Sequence, residues 1–112
     1  MDLTIETAKK GTAVVLTVKG RLDAATAPEF ITICDGLIAA GDISLIADLG
    51  KLEYISSAGL RGILASAKRL KEQDGKIIFS GLQGHVKEVF AISGFQGIFK
   101  IYDSDAEGLK GI

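Results

Sequence analysis

The 112-residue chain has no tryptophan, one proline, one cysteine and one histidine, and its formal net charge is only −1. A lone cysteine, Cys34, excludes an intrachain disulfide and any multi-cysteine metal site, and fits a reducing compartment. His85 has no partner cysteine and lies outside any HExxH pattern, which leaves it an exposed or capping residue rather than a metal ligand. The 13 basic and 14 acidic residues are interspersed, so the chain carries no electrostatic footprint for nucleic acid or an anionic membrane. Neither GxxxxGK nor GxGxxG occurs, since Gly59-Leu60-Arg61-Gly62 and Gly94-Phe95-Gln96-Gly97 have other spacings. No run of about 18 apolar residues is present to span a bilayer, and MDLTIETAKKG lacks the apolar stretch of a signal peptide. A cytoplasmic protein is expected, with no metal, no cofactor, no nucleic-acid partner and no direct membrane insertion.

What is present is ordinary for a globular domain. Apolar residues make up 47% and charged residues 24%, and a chain of this size buries roughly 65% of the surface it exposes when unfolded, enough for one core without staples. No repeat, low-complexity tract or linker interrupts it, so residues 1–112 read as a single domain.

Leu3 and Ile5 alternate with Thr4 and Glu6, and Val14, Leu16 and Val18 alternate again after Lys9-Lys10-Gly11, which predicts two antiparallel strands. Thr26 and Glu29 have capping-box spacing with Pro28 in the first turn. Phe30, Ile33, Cys34, Leu37 and Ile38 then recur on one helical face as far as Gly41, and Cys34 on that stripe reads as a small core residue. A strand from Ile43 to Leu49 is apolar almost throughout and is expected to be covered on both faces. From Ser57 a second helix turns Leu60, Ile63, Leu64, Ala67 and Leu70 inward and Arg61, Lys68 and Glu72 outward, ending near Gly75. Lys76 to Ser80 reads as a fourth strand and Ile98 to Tyr102 as a fifth. Between them Val86, Val89 and Phe90 line a third helix that stops at Gly94. Ser104 and Glu107 mark a short last helix. Strands alternating with helices after a hairpin predict an α/β fold: a mixed, mostly parallel sheet of about five strands with right-handed crossovers and about four helices.

The most informative stretch is Leu45 to Leu64, LIADLGKLEYISSAGLRGIL, where a buried strand gives way to an amphipathic helix at Ser56 and Ser57. A helix N-terminus offers unpaired N–H groups and roughly half a positive charge, which favours a phosphate or another anion. The alternative is that Ser57 is simply the N-cap, its hydroxyl accepting an early helical N–H.

This strand, loop and helix, with Ser-Ser-Ala-Gly-Leu at the junction, GRLDAATAPEF (Gly20 to Phe30) after the second strand and IADL (Ile46 to Leu49) before the loop, resembles the STAS domain of bacterial anti-sigma factor antagonists. In that family the motif usually reads Asp-Ser-Ser/Ala-Gly-Leu, and the serine after the Asp is phosphorylated by a partner kinase that is also the anti-sigma factor. The matching serine is Ser57, with Ser56 standing where the Asp usually is and so a competing acceptor. The resemblance implies a STAS fold and a non-enzymatic switch. Unphosphorylated, such a protein binds an anti-sigma factor serine kinase and frees a sigma factor; a PP2C-type serine phosphatase resets it. The other reading is a STAS accessory subunit of a membrane transport complex, bound through the same helix edge to an ATPase subunit.

Partner-binding residues expected on this basis are Asp23, Tyr54, Ile55, Ser56, Ser57, Ala58, Gly59, Leu60 and Arg61. Tyr54 and Ile55 either tuck beneath the helix as a staple or face a partner. Arg61 either meets a partner carboxylate or is solvated. Asp23 follows the second strand and Asp48 closes the third, which places both on the edge that carries the serines. Asp48 is read as structural support, a carboxylate accepting loop N–H groups. No nucleophile–base pair or catalytic constellation is evident.

Overall fold

The computed structural model describes residues 3–112, so the first two residues of the expected domain lie outside the described ones. Strands β1 (Leu3–Lys10) and β2 (Ala13–Leu22) form the expected hairpin. Helix α1 (Ala27–Ala39), β3 (Ser44–Ile55), α2 (Ser57–Glu72), β4 (Lys76–Ser80), α3 (Gly84–Ser93), β5 (Ile101–Tyr102) and α4 (Asp105–Gly111) follow. The five strands lie in the order β1-β2-β3-β4-β5, antiparallel between β1 and β2 and parallel thereafter. Three right-handed crossovers that advance in one direction place α1, α2 and α3 on one face of the sheet. Among the described residues no helix is long and apolar enough to cross a membrane.

The main core lies under these helices. Leu16 and Val18 of β2, Leu45, Ala47 and Leu49 of β3 and Phe79 of β4 meet Phe30, Cys34, Ile63 and Leu70 from the helices. The opposite face is covered at one end by α4, where Ala13, Val15, Ile46 and Ile78 pack against Tyr102, Leu109 and Ile112. Burial lifts the Cys34 thiol to about 11, with Asp35 adding to the rise and the Ser66 hydroxyl opposing it. Cys34 is therefore an inert core residue rather than a thiolate.

Strand β3 runs past its expected end at Leu49 to Ile55. Between Thr17 and Leu22 β2 advances five residues while β3 advances seven, from Asp48 to Ile55, with register shifts at two points. Each extra residue is a bulge that resets the in–out alternation. Leu49, Leu52 and Ile55 are thus three residues apart yet all face the helices. A period of three is invisible to an alternation test, which is why the strand appeared to stop early. Asp48 lies mid-strand as a consequence, and its Oδ1 accepts the Gly50 N–H at 2.9 Å across the first bulge.

Other boundaries moved for similar reasons. Thr26 does not cap α1 with its side chain; its hydroxyl donates to the Arg21 carbonyl at 2.8 Å and accepts the Asp23 N–H at 2.9 Å. Leu64 is 40% exposed because Gly59, Gly62, Ile63, Ser66 and Leu70 form the inward face of α2. Helix α2 ends at Glu72, near the expected Gly75, and the left-handed residue that follows is Asp74; Gly75 is required for space, since a Cβ there would collide with the Ile43 carbonyl. Strand β5 is reduced to two residues, because Phe95 is drawn into the core by a 3-10 turn over Phe95–Gly97 and Phe99 packs edge-on to Phe79 at 5.1 Å. Ser104 caps α4 as expected, accepting the Glu107 N–H at 3.2 Å.

The far face holds one electrostatic conflict. Ser80 donates to Asp105 Oδ1 at 2.5 Å, fastening α4 to β4, and Asp48 sits beside this pair. Burial raises the Asp48 pKa and the neighbouring Asp105 carboxylate adds to the rise, against the Gly50 N–H and Lys51, which lower it. A carboxyl with a raised folded pKa favours the fold when protonated, so its contribution is present below the unfolded value and is lost as pH rises through the folded one. Asp48→Asn keeps an acceptor for Gly50 and removes the charge. It is expected to raise the melting temperature near pH 7 and to have no such effect at about pH 3, below the ordinary aspartate value. Thermal melts of both proteins at the two pH values check this, and a loss of stability near pH 7 would contradict it.

Candidate functional site

At the carboxyl end of β3 the chain makes a single-residue connection into α2. The Ser56 N–H donates to the Leu22 carbonyl at 3.0 Å, which joins the start of α2 to the end of β2. Ser56 has extended backbone (φ −101°, ψ 175°), and its Oγ accepts the Gly59 N–H at 3.2 Å. Ser56 is therefore the N-cap, and Ser57 is the first residue of the helix with its side chain exposed. Ser57 is thus not the N-cap, the alternative its sequence context offers; the cap lies one residue earlier because β3 extends to Ile55 and leaves only Ser56 to change the chain direction.

Gly59 makes this close junction feasible. A Cβ at that position would lie 2.5 Å from the Leu22 carbonyl oxygen and 3.0 Å from Ile55 Cγ1. Neither neighbour can withdraw: one is backbone and the other is core. Ile55 is 2% exposed, so its place is in the core and a partner cannot reach it. Gly59 is likewise buried, whereas Ala58 and Leu60 are half-buried and Arg61 is exposed on the outer side of the first turn.

Tyr54 is half-buried and exposes one side of a short ladder. Its ring stacks on His85 from α3, with centroids 5.1 Å apart and an interplanar angle of 4°. The Arg21 guanidinium lies over the same ring at 4.2 Å and approaches the Asp23 carboxylate at 3.8 Å. Stacking of this kind contributes about 0.5–1 kcal/mol at an exposed site. Asp23 also organises the β2–α1 turn, its Oδ1 accepting the N–H groups of Ala25 at 3.0 Å and Thr26 at 3.2 Å. Asp23 is thus a support for the loop as well as an edge residue.

Of the residues read as sharing one edge, Asp23, Tyr54, Ser56, Ser57 and the first turn of α2 do gather at the carboxyl end of β2 and β3. Asp48 does not. It pairs with Thr17 and Ser80 in mid-sheet, seven residues before Ile55 and so roughly 20 Å back along the strand, on the face that α4 covers. Arg21 and His85 belong to the edge and were not anticipated. The Arg21–Tyr54 contact follows from their register across a bulge, and that register has no signal in a single sequence.

This edge is suited to recognising an anion or a partner surface. Ser57 presents a hydroxyl at the positive end of a 16-residue helix whose first turn holds no acidic residue, so an anion attached there meets the helix dipole and unpaired N–H groups. His85 is held against Tyr54, and Asp23 against its own loop amides. Among the described residues no group of three or more His, Cys, Asp and Glu side chains is placed to hold a metal ion.

Comparison with known proteins agrees with this architecture. A family model for the STAS domain matches residues 4–108. A Bordetella bronchiseptica protein with the name "Putative anti-sigma factor antagonist BtrV" is 39% identical over 87 residues, covering 78% of this chain and 75% of that protein. The crystal structure of an anti-sigma factor antagonist from Mycobacterium paratuberculosis superposes with a TM-score of 0.89 at 21% identity, over 99% of this chain and 94% of that one. The Bacillus cell fate determinant SpoIIAA in its phosphorylated form superposes with a TM-score of 0.73 at 20% identity, over 96% of each chain. At these identities the two structures show a shared fold.

Substitutions at two positions test the junction. Ser56→Ala is expected to lower stability by about 1 kcal/mol through loss of the cap, while Ser56→Asp restores it. Gly59→Ala is expected to cost about 1–3 kcal/mol by forcing α2 away from Leu22. Urea denaturation of the three variants measures both, and a Gly59→Ala protein as stable as the parent would show that the close approach is not needed.

Proposed function

Because the chain belongs to the STAS domain family, we propose that it is an anti-sigma factor antagonist whose docking is switched by phosphorylation of Ser57. Unphosphorylated, the edge formed by Tyr54, Ser57, Leu60, Arg61 and the Asp23 turn docks on an anti-sigma factor and frees a sigma factor. The anti-sigma factor is the serine kinase that ends the docking, and a PP2C-type phosphatase restores it. The protein itself is a binding protein and performs no chemistry.

The observation that carries this reading is the division of labour between the two serines. The Ser56 hydroxyl is committed to the Gly59 N–H at 3.2 Å, whereas Ser57 is exposed at the first helical position. A kinase must reach a serine hydroxyl that can leave its surroundings at little cost, and the Ser56 hydroxyl must first give up its bond to the Gly59 N–H.

The consequence for stability is small and that for binding large. A phosphate adds about −1.5 to −2 charges, and a helix N-terminus gains roughly 0.3–1 kcal/mol from a negative charge at an exposed site. Asp48, at roughly 20 Å, is beyond the ~8–10 Å range over which exposed charges interact in physiological salt, so it does not oppose the phosphate. In a docked contact that is desolvated, by contrast, an unpaired charge costs several kcal/mol.

Ser57→Asp is therefore expected to keep a melting temperature near that of the parent and to lose binding to the cognate anti-sigma factor. Ser57→Ala is expected to bind and to resist switching. Calorimetric titration of the three proteins, with mass spectrometry after incubation with the kinase, tests both. Phosphate found on Ser56 alone, or full binding by Ser57→Asp, would refute the mechanism.

A further inference from the structure

At the other end of the sheet, β4 has an edge that β5 leaves uncovered. The Phe79 N–H donates to the Lys100 carbonyl and the Gly81 N–H to the Tyr102 carbonyl, each at 3.1 Å, so these residues direct their backbone groups toward β5. Backbone polar groups alternate between the two sides of a strand, and Ile77 therefore points its N–H and C=O the same way as Phe79. Strand β5 begins only at Ile101, opposite Phe79. The chain before it leaves the sheet through the Phe95–Gly97 turn, and among the described residues no strand lies beside Ile77.

A groove of about 560 Å³ runs along this edge, between β4, α2 and the segment that leads into β5. Its apolar walls come from Leu64, Ala67, Ile98 and Phe99. Leu64 and Ile98 are large hydrophobic residues left 40% and 61% exposed. Among the described residues its rim carries four cations, Lys68, Lys71, Lys76 and Lys100, and no carboxylate. The ion pairs among the described residues involve Lys9, Arg21 and Arg69, so none of these four lysines is engaged in one.

We propose that this groove takes an extended segment of a partner protein, with acidic residues alternating with apolar ones, as an added strand on the free edge of β4. A free strand edge is a template for another chain, with main-chain hydrogen bonds supplying affinity and alternate side chains supplying specificity. In an added strand, alternate residues point to opposite sides, so the set facing α2 meets Leu64 and Ala67 with Lys68 and Lys71 beside them, and the other set lies on the side of the sheet that carries Lys76. A second copy of this chain is excluded as occupant by charge, since edge-to-edge pairing would bring the two sets of lysines together. A small amphipathic anion would satisfy the lysines and the walls and leave the Ile77 backbone without use. The groove lies at the amino end of β4 and Ser57 beyond the carboxyl end of β3, so this inference stands apart from the phosphorylation switch.

The test is selection from a displayed library of random peptides against the intact protein, with counter-selection on a Lys71→Glu/Lys100→Glu variant. Peptides in which Asp or Glu alternates with Val, Ile, Leu or Phe are expected to be enriched. With the best of them, the double variant should bind about tenfold or more weakly with an unchanged thermal melt, and Leu64→Lys should weaken binding as well. Amide exchange at Ile77 should slow by about tenfold in the complex, and Ser57→Asp should bind the peptide as the parent does. No enrichment over the variant, enriched peptides without acidic residues, or an Ile77 exchange rate unchanged by binding would each overturn the proposal. Binding of dodecanoate in the absence of any such peptide would likewise overturn it and reassign the groove to a small amphipathic anion.

Discussion

Strand β3 has to remain paired with β2 while advancing two residues more than its neighbour between Thr17 and Leu22. The constraint is met by two bulges, and most of what distinguishes this molecule follows from them. They keep Leu49, Leu52 and Ile55 on the core face, so the strand stays anchored to its end. They bring Tyr54 opposite Arg21 and deliver Ser56 to the Leu22 carbonyl, where one hydrogen bond closes the joint between sheet and helix. A strand that ended at Leu49 would leave α2 starting in the middle of the sheet, and the serines would be under the helical layer rather than at its rim.

At that rim two adjacent serines acquire different roles from geometry alone. Ser56 has extended backbone and turns its hydroxyl inward to Gly59; Ser57 has entered the helix and turns outward. The resemblance that marks this motif usually has Asp in place of Ser56, and Asp and Ser are near equivalents as N-caps. The departure therefore preserves the helix start while removing one negative charge beside Ser57. Gly59 completes the arrangement, because only a residue without Cβ lets the capped turn rest on the Leu22 carbonyl.

The two ends of the sheet are built from different materials. The carboxyl end is polar and closely joined, with the Ser56–Leu22 backbone bond, the Ser56 cap and an arginine–tyrosine–histidine stack. The amino end of β4 is apolar and open, bordered by lysines. It is open because the aromatic cluster of Phe79, Phe90, Phe95 and Phe99 draws the chain out of the sheet before β5 can lengthen. Core packing in one place thus exposes a backbone edge in another.

Composition and periodicity by themselves determined the class of fold, the hairpin, the three main helices and the location of the serine junction, because each rests on local patterning: alternation for strands, a spacing of three and four for helices, and Ser, Gly and Asp at the turns. They also placed Asp23 and the start of α2 on one edge, since in a parallel sheet every carboxyl end points the same way. Tertiary structure decided what local patterning does not encode. Bulges break the period-two signal, so the length of β3, the true N-cap and the position of Asp48 all followed from cross-strand register. Thr26 lost its capping role because the Arg21 carbonyl and the Asp23 N–H, partners set by the β2–α1 turn, were better placed for its hydroxyl. Leu64 was left outside because two glycines let α2 approach its neighbours along a different face from the one its leucines suggested. Hydrophobic pattern tells which residues seek burial; which of them obtain it depends on where the backbones come close enough to cover them.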